Sequence, residues 1–158
     1  MIKVTIICVG KMKEAAFIEA AKEYEKRLGA FCKLETIEIK PCLLPESPSP
    51  AEISAALLKE AEKIALKIPE GAAVYPLCIE GAKVSSETFA TEIGARANEG
   101  KPLCFIIGSS HGLHADIKKL GKKLSFSDMT FPHRLFRVML LEQLYRAFSI
   151  INGGKYHK

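Results

Sequence analysis

The sequence predicts an α/β fold, with a mainly parallel sheet and helices on both faces of the sheet. Two features of the 158-residue chain support this class. Short runs of β-branched and other apolar residues alternate with segments in which apolar residues recur at helical spacing. Glycines and prolines separate these segments and mark the turns. Strands that alternate with helices form parallel pairs, and the helices then cover both faces of the sheet.

The first part of the chain predicts a strand, a helix, a second strand and a loop. Residues 2–9 (IKVTIICV) form a β-branched run, and residues 12–28 carry apolar side chains at helical spacing. Residues 33–39 alternate between polar and apolar side chains, which is typical of a strand. Residues 41–50 contain four of the eight prolines and predict a loop. Because too little chain flanks this loop for two cores, we expect one domain spanning residues 1–158.

A capping box predicts where the second helix begins. Ser49, Pro50 and Glu52 supply the N-cap, a proline at the first helical position and the returning carboxylate. The helix has a predicted buried side formed by five apolar residues: Ile53, Leu57, Ala61, Ile64 and Ile68. Ser85 or Ser86 supplies the cap of the next helix.

The middle of the chain predicts a ligand site as well as secondary structure. A strand over residues 73–79 and a helix over residues 86–98 precede a strand over residues 103–107. Residues 108–112 (GSSHG) follow that strand directly and lead into a short helix from about His114. Backbone amides in such a loop can face a ligand, because α/β sheets bind ligands at the carboxyl ends of their strands. A simple turn is the alternative interpretation.

The last predicted helix begins at His133 or Arg134 and ends at Ile151, and its apolar residues occupy almost the whole circumference. Such a helix requires burial on more than one side. A two-fold contact with a second copy of the chain would bury the second side, so we expect a homodimer. A central helix within a monomer is the alternative.

The composition predicts where the protein works and what it binds. With 48% hydrophobic residues, the chain can bury a core without disulfides or a structural metal. Its five cysteines are odd in number and form no CxxC pair, which predicts a reducing compartment and a cytoplasmic location. The N-terminal apolar run is too short for a signal peptide or a membrane span. The net charge of +5 favours an anionic partner, with a solvated basic surface as the alternative.

Three segments resemble the bacterial ribosomal RNA large-subunit methyltransferase H family of the SPOUT class. They are residues 9–14 (VGKMKE), 103–114 (LCFIIGSSHGLH) and 124–158, which include TFPHRLFRVMLLEQLYRAF and the terminal YHK. The resemblance spans the whole chain. It implies a C-terminal trefoil knot, S-adenosylmethionine as methyl donor and S-adenosylhomocysteine as product. It also implies transfer to N3 of a pseudouridine in helix 69 of 23S rRNA, within the assembled 70S ribosome.

The resemblance also implies which residues bind the cofactor. The matching positions are Leu77, Gly108 and a six-residue loop made of Phe126, Ser127, Asp128, Met129, Thr130 and Phe131. Two positions depart from the family pattern. Ser109 replaces a second glycine and narrows the backbone angles open to its loop. Pro76 replaces a threonine and removes one amide donor at the end of the strand.

The implied reaction requires a base or a cation, because N3 of the acceptor is protonated at neutral pH. The candidates for a catalytic or substrate-contacting role are His133, Arg137, Arg146, Tyr156 and His157. The two arginines could hold phosphates or stabilise negative charge on the uracil carbonyls. Alternatively, His133 bonds only to backbone groups, and Arg146 pairs with Glu142 one helical turn earlier. The sequence leaves the general base unassigned.

Other functions have weaker support. His111 and His114 lack a third ligand at a suitable spacing, so we predict no metal site. A different nucleotide-using enzyme is disfavoured, because the chain has neither a Walker loop nor a dinucleotide-binding fingerprint. A non-enzymatic ribosome-binding factor that uses only the basic face is the principal alternative.

Overall fold

A single parallel sheet organises the chain, and the computed structural model describes all 158 residues. The strand order is β2-β1-β4-β3-β5, and every neighbouring pair is parallel. The strands are β1 (Ile2–Val9), β2 (Cys32–Ile39), β3 (Ala73–Lys83), β4 (Leu103–Ile107) and β5 (Leu124–Ser125). The helices are α1 (Ala15–Leu28), α2 (Pro50–Ala65), α3 (Ser86–Asn98), α4 (Ala115–Lys118) and α5 (His133–Ile151). The predicted α/β class with a parallel sheet is confirmed.

Helices cover the sheet on both faces, which explains the continuous apolar runs in β1 and β4. Successive side chains of a strand point to opposite faces. Ile6 of β1 therefore packs into the core beneath α1, α3 and α5, whereas its neighbour Ile7 packs into the core beneath α2 and α4. In β4, Phe105 and Ile106 divide in the same way. All four side chains are fully buried.

Helix α5 lies in the larger of the two cores and packs against both α1 and α3. Leu140, Leu141 and Leu144 are fully buried within the single chain. Other apolar residues of this helix, such as Phe136 and Tyr145, are half-buried. Much of the apolar circumference is thus covered by the chain itself, which matches the alternative of a central helix. The homodimer stays a prediction.

A capping motif predicted the first residue of α2 correctly, whereas apolar periodicity alone did not predict the first residue of α1. Ser49 Oγ accepts a hydrogen bond from Glu52 N at 3.1 Å, and the Glu52 carboxylate accepts one from Ser49 N at 3.1 Å, so the predicted capping box is confirmed. By contrast, α1 begins at Ala15 and not at residue 12. Met12 packs against the core from the segment that precedes the helix, so its burial does not depend on a helical conformation.

Strand β3 is longer than predicted, and β5 was missed. Regular pairing of β3 with β4 ends at Leu77, and its pairing with β5 shifts register between Leu77 and Ala82. Residues 78–81 are looped out as a bulge. Pro76 lies inside β3, opposite Ile106 of β4, and not at the strand's end. The two residues of β5 are too few to show any periodicity in the sequence.

The bulge brings the backbone of β3 very close to that of β5. A Cβ atom on Gly81 would lie 2.5 Å from the carbonyl carbon of Leu124. No side chain fits there, because backbone atoms on both strands would have to move.

We predict that Gly81→Ala lowers the free energy of unfolding by about 1–3 kcal/mol, the usual cost of overpacking a closely packed region. Denaturant unfolding followed by circular dichroism measures the change. Gly94→Ala is the matched control: its Cβ would lie 3.5 Å from Ile151 Cγ1, in ordinary contact, and alanine favours a helix. Equal stability of the two variants would contradict the prediction.

Candidate functional site

A cavity of about 670 Å³ opens at the carboxyl ends of β3 and β4. Its size falls within the usual range for small-molecule sites. Three segments form most of its walls: residues 77–80, residues 107–113, and the loop that connects β5 to α5. The position agrees with the expectation that an α/β sheet binds ligands where its strands end.

The first two walls are shaped by tight backbone turns. The bulge in β3 turns residues 78–80 toward the cavity. After β4, the loop folds back so that a Cβ on Gly108 would lie 2.6 Å from the carbonyl carbon of Gly112. Gly112 N donates a hydrogen bond to Ser109 O at 2.9 Å and closes this turn. Ser109 accommodates the turn without a positive φ, so its departure from glycine causes no backbone strain.

The third wall is held by hydrogen bonds and by aromatic packing. Ser125 Oγ donates to Ser127 O at 2.9 Å, and Met129 N donates to Ser127 Oγ at 3.0 Å. The ring of Phe126 packs against Phe136 of α5, with 4.8 Å between the ring centroids. These contacts fix the loop relative to the helix that follows it.

Seven of the eight residues expected to bind a cofactor line this cavity: Leu77, Gly108, Phe126, Ser127, Met129, Thr130 and Phe131. Leu77 is buried at the base, whereas Met129 is 72% exposed at the rim. The exception is Asp128, which points away and forms an ion pair with Lys83 Nζ at 2.6 Å. Apolar side chains and backbone groups thus line a cavity that has room for a ligand of moderate size.

His133 also lines the cavity, at the first residue of α5. Burial lowers the pKa of its imidazole, and the neighbouring Arg134 lowers it further, while Glu14 acts in the opposite sense. Arg134 and Glu14 form an ion pair with 3.0 Å between Nη1 and Oε1. The imidazole is therefore neutral at pH 7, and a neutral imidazole can accept a proton.

Arg137 does not lie where a residue that binds RNA phosphates is expected. It is 8% exposed and does not line the cavity. Its Nη1 atom lies 3.5 Å from Glu38 Oε2, and its buried Nε has no hydrogen-bond partner. Burial behind His133, one turn further along α5, keeps this guanidinium from contacting RNA phosphates in this conformation.

The remaining three candidates form a second cluster, outside the cavity. Arg146 Nε donates to Glu142 Oε1 at 3.0 Å, so the expected pair along α5 is confirmed. The Arg146 guanidinium also lies 4.8 Å from the centroid of the Tyr156 ring and 3.2 Å from His157 Nδ1. His157 Nε2 is 2.9 Å from Glu87 Oε1 of α3. These contacts hold the C-terminal tail against α3 and α5.

Tyr156 is a hydrogen-bond donor in this cluster. Its hydroxyl donates to Glu142 Oε1 at 3.0 Å and lies 3.5 Å from the hydroxyl of Tyr24. The contact with Tyr24, burial and the Glu142 carboxylate all raise the pKa of Tyr156. The phenol consequently stays protonated at neutral pH.

Helix geometry separates the two clusters within one chain. His133 and Arg146 are thirteen residues apart on α5, which corresponds to about 20 Å along the helix axis. That distance exceeds the reach of an arginine side chain. The tail cluster of one chain therefore does not act in that chain's own cavity in this conformation.

Sequence reasoning missed two charged residues of the cavity wall, Glu80 and Lys118. Glu80 lies in the bulge of β3, and Lys118 is the last residue of α4. Periodicity carries no signal for a bulge, so only the structure could place the two side chains together. No group of three or more His, Cys, Asp or Glu side chains is arranged to hold a metal ion. None of the helices combines the length and hydrophobicity needed to span a bilayer.

Comparisons with known proteins agree with this architecture. The sequence profile described as "Predicted SPOUT methyltransferase" matches residues 2–157. The chain is similar in fold to a structure described as a probable methyltransferase from Bordetella pertussis Tohama I. That match has 13% identity and a TM-score of 0.58, and covers 93% of this chain and 95% of the other. A structure concerned with 2-OH methylation of C/U34 on tRNA has 17% identity and a TM-score of 0.51, covering 96% and 97%.

We predict that Arg134→Gln raises the pKa of His133. The substitution removes a nearby positive charge and frees the Glu14 carboxylate, and both changes favour the protonated imidazole. An NMR titration of the histidine ring resonances measures the shift. Glu14→Gln is the matched control and should move the pKa of His133 in the opposite direction. If both variants shifted the pKa of His133 in the same direction, the Arg134–Glu14 pair would affect His133 through local structure and not through charge.

Proposed function

The chain belongs to the SPOUT methyltransferase family, and on that premise we propose that it methylates N3 of a pseudouridine in helix 69 of 23S rRNA, within the 70S ribosome. The observation that carries the proposal is the cavity of about 670 Å³, because seven of the eight expected cofactor positions line it. The specific target rests on the sequence resemblance of residues 124–158.

S-adenosylmethionine supplies an electrophilic methyl group when it is bound, so the protein needs only to orient the reactants and exclude water. Leu77 and Phe131 provide apolar surface for an adenine ring, and backbone groups near Gly108 provide polar contacts. We expect the connection between β5 and α5 to complete a trefoil knot that holds these three walls together.

His133 is the proposed acceptor of the N3 proton. Its imidazole is half-buried, faces the cavity and has a lowered pKa, so it is unprotonated at neutral pH. Arg137, which lies one turn behind it, acts as a positioning residue through its burial and its contact with Glu38. Asp128 holds the cofactor loop through Lys83 and does not touch the ligand.

Arg146, Tyr156 and His157 contact the RNA at the cavity of a second subunit in the proposed homodimer. Two observations support this arrangement: none of the three lines the cavity of its own chain, and α5 places Arg146 about 20 Å from His133. A cation and two hydrogen-bonding rings are suited to stabilise negative charge on the uracil carbonyls.

RNA as the substrate is supported by the net charge of +5 and by two exposed lysines that form no ion pair, Lys119 and Lys123. A protein of this size offers few phosphate contacts, so a large ribosomal surface must add affinity through shape. 2-OH methylation of tRNA, the subject of one structure with a similar fold, is the competing outcome.

Methyl incorporation from radiolabelled S-adenosylmethionine tests the reaction. We expect incorporation into intact 70S ribosomes and little into free 23S rRNA or tRNA, with the label mapped to one pseudouridine of helix 69. Equal labelling of free rRNA, or preferential labelling of tRNA, would overturn the proposed substrate. Absence of S-adenosylmethionine binding by calorimetry would instead favour a non-enzymatic ribosome-binding factor.

Mixed dimers test the contribution of the second subunit. We predict that Gly108→Ala and a variant ending at Lys155 are each inactive, because the first deforms the cavity wall and the second lacks the tail. Co-expressing both should restore about a quarter of wild-type activity, since half of a random mixture is heterodimers with one intact site each. No recovery, with heterodimers verified by affinity tags, would show that the tail acts within its own chain.

A further inference from the structure

The cavity wall carries one carboxylate and one ammonium group that form a pair. Among all the residues that line it, only Glu80 carries a carboxylate and only Lys118 carries an ammonium group; the others are apolar, hydroxyl-bearing, imidazole, thiol or glycine residues. Glu80 Oε1 and Lys118 Nζ form a direct ion pair. A single carboxylate and a single ammonium group thus lie side by side on an otherwise uncharged surface.

Both members of the pair are placed by local backbone structure and stay accessible. Glu80 lies in the looped-out part of β3, directly before the close approach of Gly81 to β5. Lys118 ends α4, which packs on the opposite face of the sheet from α5. The side chains are 49% and 28% exposed, respectively. The hydrogen bond from Lys118 lowers the pKa of Glu80, so the carboxylate is ionised at neutral pH.

We propose that Glu80 and Lys118 bind the amino-acid end of the methyl donor, with Glu80 receiving its α-ammonium group and Lys118 its α-carboxylate. This inference rests on the proposed function, because it assigns a role toward S-adenosylmethionine. The adenine ring of that molecule suits the apolar walls, but its amino-acid end is a zwitterion. A zwitterion requires one acceptor and one donor of opposite charge at close spacing, and the cavity offers one such combination.

Exchange of partners is energetically feasible at this position. Accessible ion pairs contribute little to folding stability, because water solvates the separated charges well. Separating Glu80 from Lys118 therefore costs little, and each side chain gains a new charged partner on the ligand. Lys83 and Asp128 form a comparable exposed pair nearby, but neither lines the cavity.

Calorimetry with two ligands tests the inference. S-adenosylhomocysteine carries the amino-acid end, and 5′-methylthioadenosine lacks it while keeping the adenosine and the thioether. We expect Glu80→Gln and Lys118→Met each to weaken binding of S-adenosylhomocysteine about tenfold, as befits loss of one charge-assisted hydrogen bond. Binding of 5′-methylthioadenosine should change less than about twofold. Lys101→Met is the control, since Lys101 pairs with Glu99 outside the cavity, and it should bind both ligands as the wild type does.

The outcomes separate this inference from the proposed function. If neither ligand binds the wild-type protein, the proposed function fails. If both bind and the variants retain full affinity for S-adenosylhomocysteine, the inference is overturned and the proposed function stands. If the variants bound both ligands more weakly and to the same extent, the inference would also be overturned. The Glu80–Lys118 pair would then only hold the bulge of β3 against α4.

Discussion

The close approach of β3 and β5 is the constraint on which the site depends. Gly81 lies so near the backbone of Leu124 that no side chain fits between the two strands. This contact fixes the bulge of β3 and, through it, the wall that carries Glu80. It also fixes where the chain leaves β5 and therefore where the loop of residues 126–131 begins. A short and irregular pairing thus positions two of the three cavity walls.

Helix α5 connects the cavity to the rest of the molecule. Its first residue, His133, faces the cavity, while its middle packs between α1 and α3. Its last turns carry Arg146, which the tail covers through Tyr156 and His157. One buried helix therefore links the cavity at one end to a polar cluster at the other. Burial of leucines along its length keeps the distance between them constant.

The sequence predicts those helices and strands whose position depends on the burial or capping interactions of their own side chains. Because β1 and β4 are buried on both faces, they are continuous apolar runs in the sequence. The capping box at Ser49 predicts the residue at which α2 begins. Features set by backbone pairing between distant segments were not predictable. The bulge after Leu77, the two-residue strand β5 and the orientation of Asp128 toward Lys83 all depend on such pairing. The resemblance predicts that Leu77, Gly108 and the loop of residues 126–131 lie near one another, and all three contribute to the same cavity. Only the fold places Glu80 and Lys118 beside them.

The continuous hydrogen bonding of α5 makes its length a quantity that the protein cannot easily vary. Each residue inserted into a helix rotates everything beyond it by about 100° and advances it by about 1.5 Å. One extra residue between His133 and Arg146 would turn the tail cluster away from α3 and would also move buried leucines out of register. The proline-rich segment before Ser49 has neither constraint, since it forms no helix or strand. Insertions and deletions among homologous chains should accordingly accumulate in that segment and be absent from the helix.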